Sequence, residues 1–312
     1  MSKIAFVFPG QGAQKAGMGK DFYENSSIAK KIFDDATEAL SLDMKELCFE
    51  KNDRLDLTEY TQAALVTTCL AMTRCLEERG LHADVTAGLS LGEYCALAVA
   101  GGIDDIEAIK LVRKRGQFME HAVPKGEGAM AAVLGLSADK IQGIIEKKEN
   151  VYVANYNCPG QIVITGAKEA VEGVQDELKE AGAKRVLMLN VSGPFHSPLL
   201  AKAGKEMEEL LMNTNLNELK IPYVTNVTGE YVRDVKNTKL LLAEQVCNSV
   251  LWEPSVKNMI EDGVDTFIEI GPGKTLAGFI KKISKDVKIY NVGTWEDMDK
   301  VVKEITGEKD GE

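Results

Sequence analysis

Three histidines in 312 residues leave few choices for a general base, because imidazole is the side chain whose ordinary pKa lies nearest neutrality. Cysteine is also sparse. Cys48, Cys69, Cys75, Cys95, Cys158 and Cys247 lie scattered, with no C-x-x-C pair and no Cys/His cluster at zinc spacing. That pattern argues against a structural metal and reads as buried, reduced thiols of a cytoplasmic protein. No apolar run reaches the length of a membrane span. The opening run Ile4–Phe8 is too short for a signal-peptide core and has no cleavage site behind it. Excess positive charge is missing as well: the formal net charge is -11. A nucleic-acid partner, which would require a basic surface, is therefore not expected, and neither is a membrane partner.

What the chain does have is one serine in a telling place. Asp84–Ala87 reads as a strand end, and Leu91–Ala100 as a helix stopped by Gly101-Gly102. Between them stands Gly88-Leu89-Ser90-Leu91-Gly92, the G-x-S-x-G pattern of a nucleophile elbow. The turn is tight enough to require glycine on both sides, and it projects the serine hydroxyl at a helix N-terminus. The N–H of Leu91 then faces any oxyanion formed on an attacked carbonyl.

The alternation of elements around this motif predicts a parallel sheet covered on both faces. Strand Ile4–Phe8 breaks at Pro9-Gly10, and helices follow near 26–40 and 59–80, the second apolar nearly all round and so expected to be buried. A further helix is expected from Asp104 to His121. The pattern then changes. Strand 129–134, helix 137–148, strands 151–155 and 161–165, helix 168–181 and strand 185–189 follow one another in the order of a ferredoxin-like unit. We read 126–194 as a small domain inserted into a large α/β domain made of 1–125 and 195–312. Tyr223–Asn226 and Thr266–Ile270 read as strands, and the charged tail from Lys303 as frayed.

A serine needs a base. His82 precedes the strand that leads to Ser90, at the wrong end of the sheet, and His121 falls at a helix end. His196 sits in Gly193-Pro194-Phe195-His196-Ser197-Pro198, an irregular segment leaving the small domain, and is the expected base. No aspartate between Ser90 and His196 is placed to complete a triad. Asp104, Asp105, Asp139 and Asp176 all fall on helix starts or surfaces. A Ser–His dyad with the imidazole oriented by a backbone carbonyl fits better. Arg115, on the helix after the elbow helix, could hold a carboxylate through paired hydrogen bonds.

Several motifs occur in order over nearly the whole chain. They are Phe8-Pro9-Gly10-Gln11-Gly12-Ala13-Gln14, Gly88-Leu89-Ser90-Leu91-Gly92-Glu93-Tyr94, Arg115-Gly116, Asn157-Cys158-Pro159-Gly160-Gln161, Gly193-Pro194-Phe195-His196-Ser197 and Glu269-Ile270-Gly271-Pro272-Gly273. Together they resemble the malonyl-CoA:acyl carrier protein transacylase family of bacterial fatty-acid synthesis. The resemblance implies a hydrolase-like α/β domain with a ferredoxin-like insertion. It implies a ping-pong transfer of malonyl from malonyl-CoA to the phosphopantetheine thiol of acyl carrier protein, through a malonyl ester of Ser90 with His196 as base.

It further implies that the N–H groups of Gln11 and Leu91 form the oxyanion hole. Arg115 would clamp the malonyl carboxylate, and the Gln245 carbonyl would orient the histidine. Asn157 would lie near the cleft, and Phe195 would add bulk near the acyl α-carbon. Leu89 stands where the family often has histidine. No metal or cofactor is expected beyond the CoA thioester substrate, and the chain is expected to be a monomer. An acidic carrier would need basic residues at the cleft mouth, for which Lys184, Arg185, Lys202, Lys205, Lys274, Lys281 and Lys282 are candidates. A serine esterase or thioesterase, a non-catalytic carrier-binding scaffold, and an acyltransferase of a polyketide pathway are the competing readings.

Overall fold

The computed structural model describes residues 2–191 and 193–307. The run Ile4–Phe8 forms β1, and four helices follow: α1 (Lys20–Asn25), α2 (Ser27–Leu40), α3 (Met44–Phe49) and α4 (Thr58–Glu78). Ser26 and Asp43 start α2 and α3, each side chain accepting from two backbone N–H groups of the first turn. From Thr61 to Thr73 every residue of α4 is buried, as its apolar circumference predicts. Next come β2 (Val85–Gly88), α5 (Gly92–Val99) and α6 (Asp105–His121). The middle of the chain supplies β3 (Gly128–Leu134), α7 (Ala138–Ile145), β4 (Val151–Cys158), β5 (Gln161–Ala167), α8 (Lys168–Gly173), α9 (Gln175–Glu180) and β6 (Arg185–Met188). After it run α10 (Ala201–Met212), β7 (Tyr223–Val224), β8 (Tyr231–Val232), α11 (Thr238–Gln245) and α12 (Trp252–Glu261). The last elements are β9 (Thr266–Ile270), α13 (Thr275–Ile283), β10 (Lys288–Val292) and α14 (Trp295–Thr306).

Two sheets organise these elements. The larger has the order β10-β9-β1-β2-β7-β8 and is parallel except for the edge strand β8. Its central strand β1 is buried along Ala5–Phe8 and separates two apolar cores, with Phe6 and Phe8 facing one and Ala5 and Val7 the other. This is the period-2 pattern of a strand covered on both faces. The smaller sheet has the order β4-β5-β3-β6, and every pair in it is antiparallel. Ala129, Ala131 and Val133 of β3 pack into a separate core with α7, α8 and α9, while Met130 and Ala132 face the main core. A short backbone link also ties the sheets' surroundings together. Tyr156 N–H donates to the Val250 carbonyl at 2.9 Å, and Val250 N–H to the Ala154 carbonyl at 2.8 Å.

Several element boundaries depart from expectation. The helix expected over 168–181 is two helices that meet at Val174, directly after the weak helix former Gly173. The helix expected to reach 148 ends at Ile145, and the strand from Val151 continues to Cys158 through two register shifts. Only Tyr223 and Val224 of the strand expected over 223–226 pair with a neighbour, because Asn226 is turned to another task. The tail expected to fray from Lys303 is helical to Thr306 and capped by Gly307 in the left-handed conformation; residues 308–312 lie outside those described. The motif at Glu269 is structural: its buried carboxylate accepts from Leu276 and Ala277 N–H at the start of α13 and from Asn291 Nδ2. All six cysteines are free thiols, five of them buried. Among the described residues no helix is long and apolar enough to cross a membrane.

Candidate active site

The carboxyl ends of β1 and β2 lie side by side, and the chain leaves each through a glycine turn. Ligands of parallel α/β sheets bind outside these strand ends. The Ser90 turn is as tight as its sequence predicts. A Cβ on Gly88 would stand 1.9 Å from the Gly92 carbonyl carbon, and one on Gly92 would stand 2.2 Å from the Phe8 carbonyl oxygen. Ser90 itself has φ 53°, a strained left-handed backbone for a non-glycine residue.

Ser90 Oγ and His196 Nε2 are 2.7 Å apart, and His196 Nδ1 lies 2.8 Å from the Gln245 carbonyl oxygen. A carbonyl can only accept, so Nδ1 carries the proton and Nε2 is left to receive one from the serine. His196 also has a positive φ, 59°, and is buried. Burial, reinforced by the nearby Arg115 charge, pulls its pKa down to about 4. The imidazole is therefore neutral at physiological pH and available as a base. His82 and His121 are exposed and away from this arrangement.

Arg115 is buried, with 1% of its surface accessible. Its guanidinium donates to Gln62 Oε1 at 2.9 Å, Gln245 Oε1 at 2.8 Å and Ser90 Oγ at 3.1 Å, and burial lowers its pKa. Among the described residues its Nε has no partner. A cation is thus held against the nucleophile itself. The Gln11 and Leu91 N–H groups have no hydrogen-bond partner among the described residues, as amides kept for an oxyanion would be. Asn157 is buried on β4 and its Oδ1 lacks a partner among the described residues. Phe195 is buried in the main core, its ring against Gly193. Neither touches Ser90 through a hydrogen bond.

Three residues of this arrangement escape a reading of the sequence. Asn226 accepts the Ser90 N–H through Oδ1 at 2.6 Å and donates through Nδ2 to the Gly88 carbonyl at 2.7 Å, spanning the elbow. Glu93 is wholly buried in the first turn of α5. Gln62 is a polar residue inside the buried stretch of α4. The available signal was polarity out of place: a carboxylate in the short apolar helix α5 and an amide within the buried stretch of α4. The basic residues singled out for a carrier are all exposed, and Lys282 reaches Gln161 of the small sheet at 3.0 Å.

Residues 5–304 match the acyl transferase domain family. The chain is 44% identical to the malonyl CoA-acyl carrier protein transacylase of Bacillus subtilis (strain 168), covering 99% of both sequences. The chain belongs to this family of acyl transferases. Its likeness extends to solved structures of the family. The malonyl CoA-acyl carrier protein transacylase from Clostridium perfringens ATCC 13124 superposes with a TM-score of 0.95 at 43% identity, over 98% of each chain. A malonyl-transacylase solved in complex with its type II PKS acyl-carrier protein gives 0.94 at 36% identity, over 97% of this chain and 100% of that one. As an acyl transferase, the chain carries its serine, imidazole and cation within hydrogen-bond reach of one another.

Proposed function

We propose that this acyl transferase moves the malonyl group of malonyl-CoA to the phosphopantetheine thiol of acyl carrier protein, as in bacterial fatty-acid synthesis. Its curated relatives are named for that transfer. The observation that carries the reading is the buried Arg115 guanidinium 3.1 Å from Ser90 Oγ. So short a span suits a three-carbon acyl group whose far end is a carboxylate, held by a charge-assisted bidentate pair.

In the first half-reaction Ser90 Oγ attacks the thioester carbonyl as its proton passes to His196 Nε2. The resulting oxyanion accepts from the Gln11 and Leu91 N–H groups. The C–S bond then breaks, and the leaving thiolate takes the proton back from His196. In the second half the carrier thiol gives its proton to His196 and attacks the serine ester, and Ser90 recovers the proton as the ester opens. The Gln245 carbonyl keeps the imidazole in the required tautomer throughout. Asn157 and Phe195 border the acyl pocket, Phe195 disfavouring branched acyl groups. No metal or redox cofactor takes part.

The small sheet supports the reading of 126–194 as a ferredoxin-like insertion, its order β4-β5-β3-β6 being the one that fold requires. The flanking 1–125 and 195–312 then form the hydrolase-like domain, in a cytoplasmic monomer. Mass spectrometry of the intact protein after exposure to malonyl-CoA tests the function. A malonyl adduct on Ser90 that acyl carrier protein discharges is the expected result, absent in Ser90→Ala. Release of free malonate to water with no transfer to the carrier would make the chain a thioesterase instead.

A further inference from the structure

Helix α5 buries all eight of its residues, and Glu93 is the charged one among them. A carboxylate removed from water is costly unless its hydrogen bonds are well made. Glu93 Oε2 accepts two: from Gln245 Nε2 at 2.5 Å and from the Asn226 N–H at 3.1 Å. Both donors are themselves attached to the reacting groups. Gln245 Nε2 also donates to the Ser90 carbonyl at 2.9 Å, Gln245 Oε1 accepts from Arg115, and its backbone carbonyl accepts from His196. Asn226 holds the Ser90 N–H and the Gly88 carbonyl. One oxygen therefore stands a single residue away from the nucleophile, the base and the cation. Glu93 Oε1 has no partner among the described residues.

We infer that Glu93 is a positioning residue of the transfer site, its Oε2 locking Asn226 and Gln245 so that Ser90 and His196 meet in reacting geometry. The inference rests on reading Ser90, His196 and Arg115 as the acyl-transfer site. Glu93 touches no reacting atom and acts through its two amide partners. Burial pushes its carboxyl up to about 7, opposed by the bonds from Gln245 and Asn226, by the nearby Thr225 hydroxyl and by the Arg115 charge. The other titratable groups facing it are Tyr223 of β7 and its neighbour Tyr94, both hydroxyls held protonated by burial. A proton arriving on Glu93 can occupy Oε1 and leave Oε2 accepting both bonds. For the same reason a glutamine, with one carbonyl oxygen, can accept both. The role is one of hydrogen bonding, and charge is dispensable to it.

The test is single-turnover malonyl loading of Ser90 from malonyl-CoA in Glu93→Gln, Glu93→Ala and Asn226→Ala, each with its thermal unfolding curve. Loss of a residue that orients a reacting group costs roughly ten- to a hundredfold by analogy with outer partners of metal ligands. Glu93→Ala should therefore load at least about tenfold more slowly at saturating malonyl-CoA, with KM within about threefold. Glu93→Gln should restore loading to within about threefold at every pH from 6 to 8. Should Glu93→Ala not fold, Glu93→Asp, whose shorter side chain withdraws the oxygen from both donors, carries the same expected loss, and Asn226→Ala reports separately on the elbow strap. Folded Glu93→Ala loading at the unmodified rate overturns the proposal, as does Glu93→Gln failing as badly as Glu93→Ala. If the unmodified protein forms no adduct on Ser90, the acyl-transfer reading has failed instead.

Discussion

His196 and Glu93 are buried titratable groups whose proton affinities have moved in opposite directions, and their effects on stability have opposite signs. The His196 pKa falls from 6.5 to about 4, so the unfolded chain binds its proton more readily and stability rises with pH across that interval. The Glu93 pKa rises from 4.5 to about 7, so its contribution is fully present below 4.5 and is lost as pH rises through about 7. The two slopes oppose each other over their shared range. Glu93→Gln removes one of them. Its stability relative to the unmodified protein should climb between pH 5 and pH 8, by up to about 3 kcal/mol for a shift of this size. Urea unfolding at the two pH values measures the difference, and a constant offset would contradict it. Arg115 acts on the same imidazole from the other side. Arg115→Leu should raise the His196 pKa, visible as an upward move of its imidazole titration by NMR. The same substitution should cut malonyl loading by roughly ten- to a hundredfold, the worth of a charge-assisted pair, and spare neutral acyl groups.

At the scale of elements the elbow is the tightest packing in the site, and its glycines meet backbone that cannot give way. Gly92→Ala would drive a Cβ to 2.2 Å from the Phe8 carbonyl oxygen, pushing β1 and α5 apart. A loss of about 2 kcal/mol or more in stability, with Ser90 loading abolished, is expected from calorimetry and adduct mass. Much of this layer was legible in the chain itself. The G-x-S-x-G spacing, the apolar circumference of α4 and the alternation of strands with helices are local patterns that local physics reads directly. That His196, and not His82 or His121, lies beside Ser90 was also legible, since strand geometry alone removes one rival. The support around Ser90 was not. Residues 90, 93, 226 and 245 meet across more than 130 positions of sequence, and nothing near Asn226 distinguishes it from a strand residue. In the sequence it reads as the end of a strand, because Tyr223 and Val224 before it are β-formers. Its amide bonds the elbow in place of a neighbouring strand.

At the scale of the whole molecule the site lies at the carboxyl ends of β1 and β2, in a chain whose formal net charge is -11. An acidic carrier protein would be repelled at long range, yet at physiological salt that repulsion fades beyond about 8 Å. Close approach is then governed by local groups. Lys281 and Lys282 occupy the last turn of α13, where the helix dipole favours cations. Lys282 also bridges to Gln161 at the tip of β5, so the pair sits where the two sheets' structures adjoin. Reversing both, Lys281→Glu with Lys282→Glu, should raise KM for acyl carrier protein by roughly threefold or more at low salt, the gap narrowing as salt is added. Malonyl loading from CoA should stay unchanged, because neither lysine contacts Ser90, His196 or Arg115. Steady-state kinetics at two ionic strengths, run beside single-turnover loading, separates the half-reactions. An unchanged carrier KM at low salt would remove this pair from the docking surface and shift attention to Lys184, Arg185, Lys202 and Lys205.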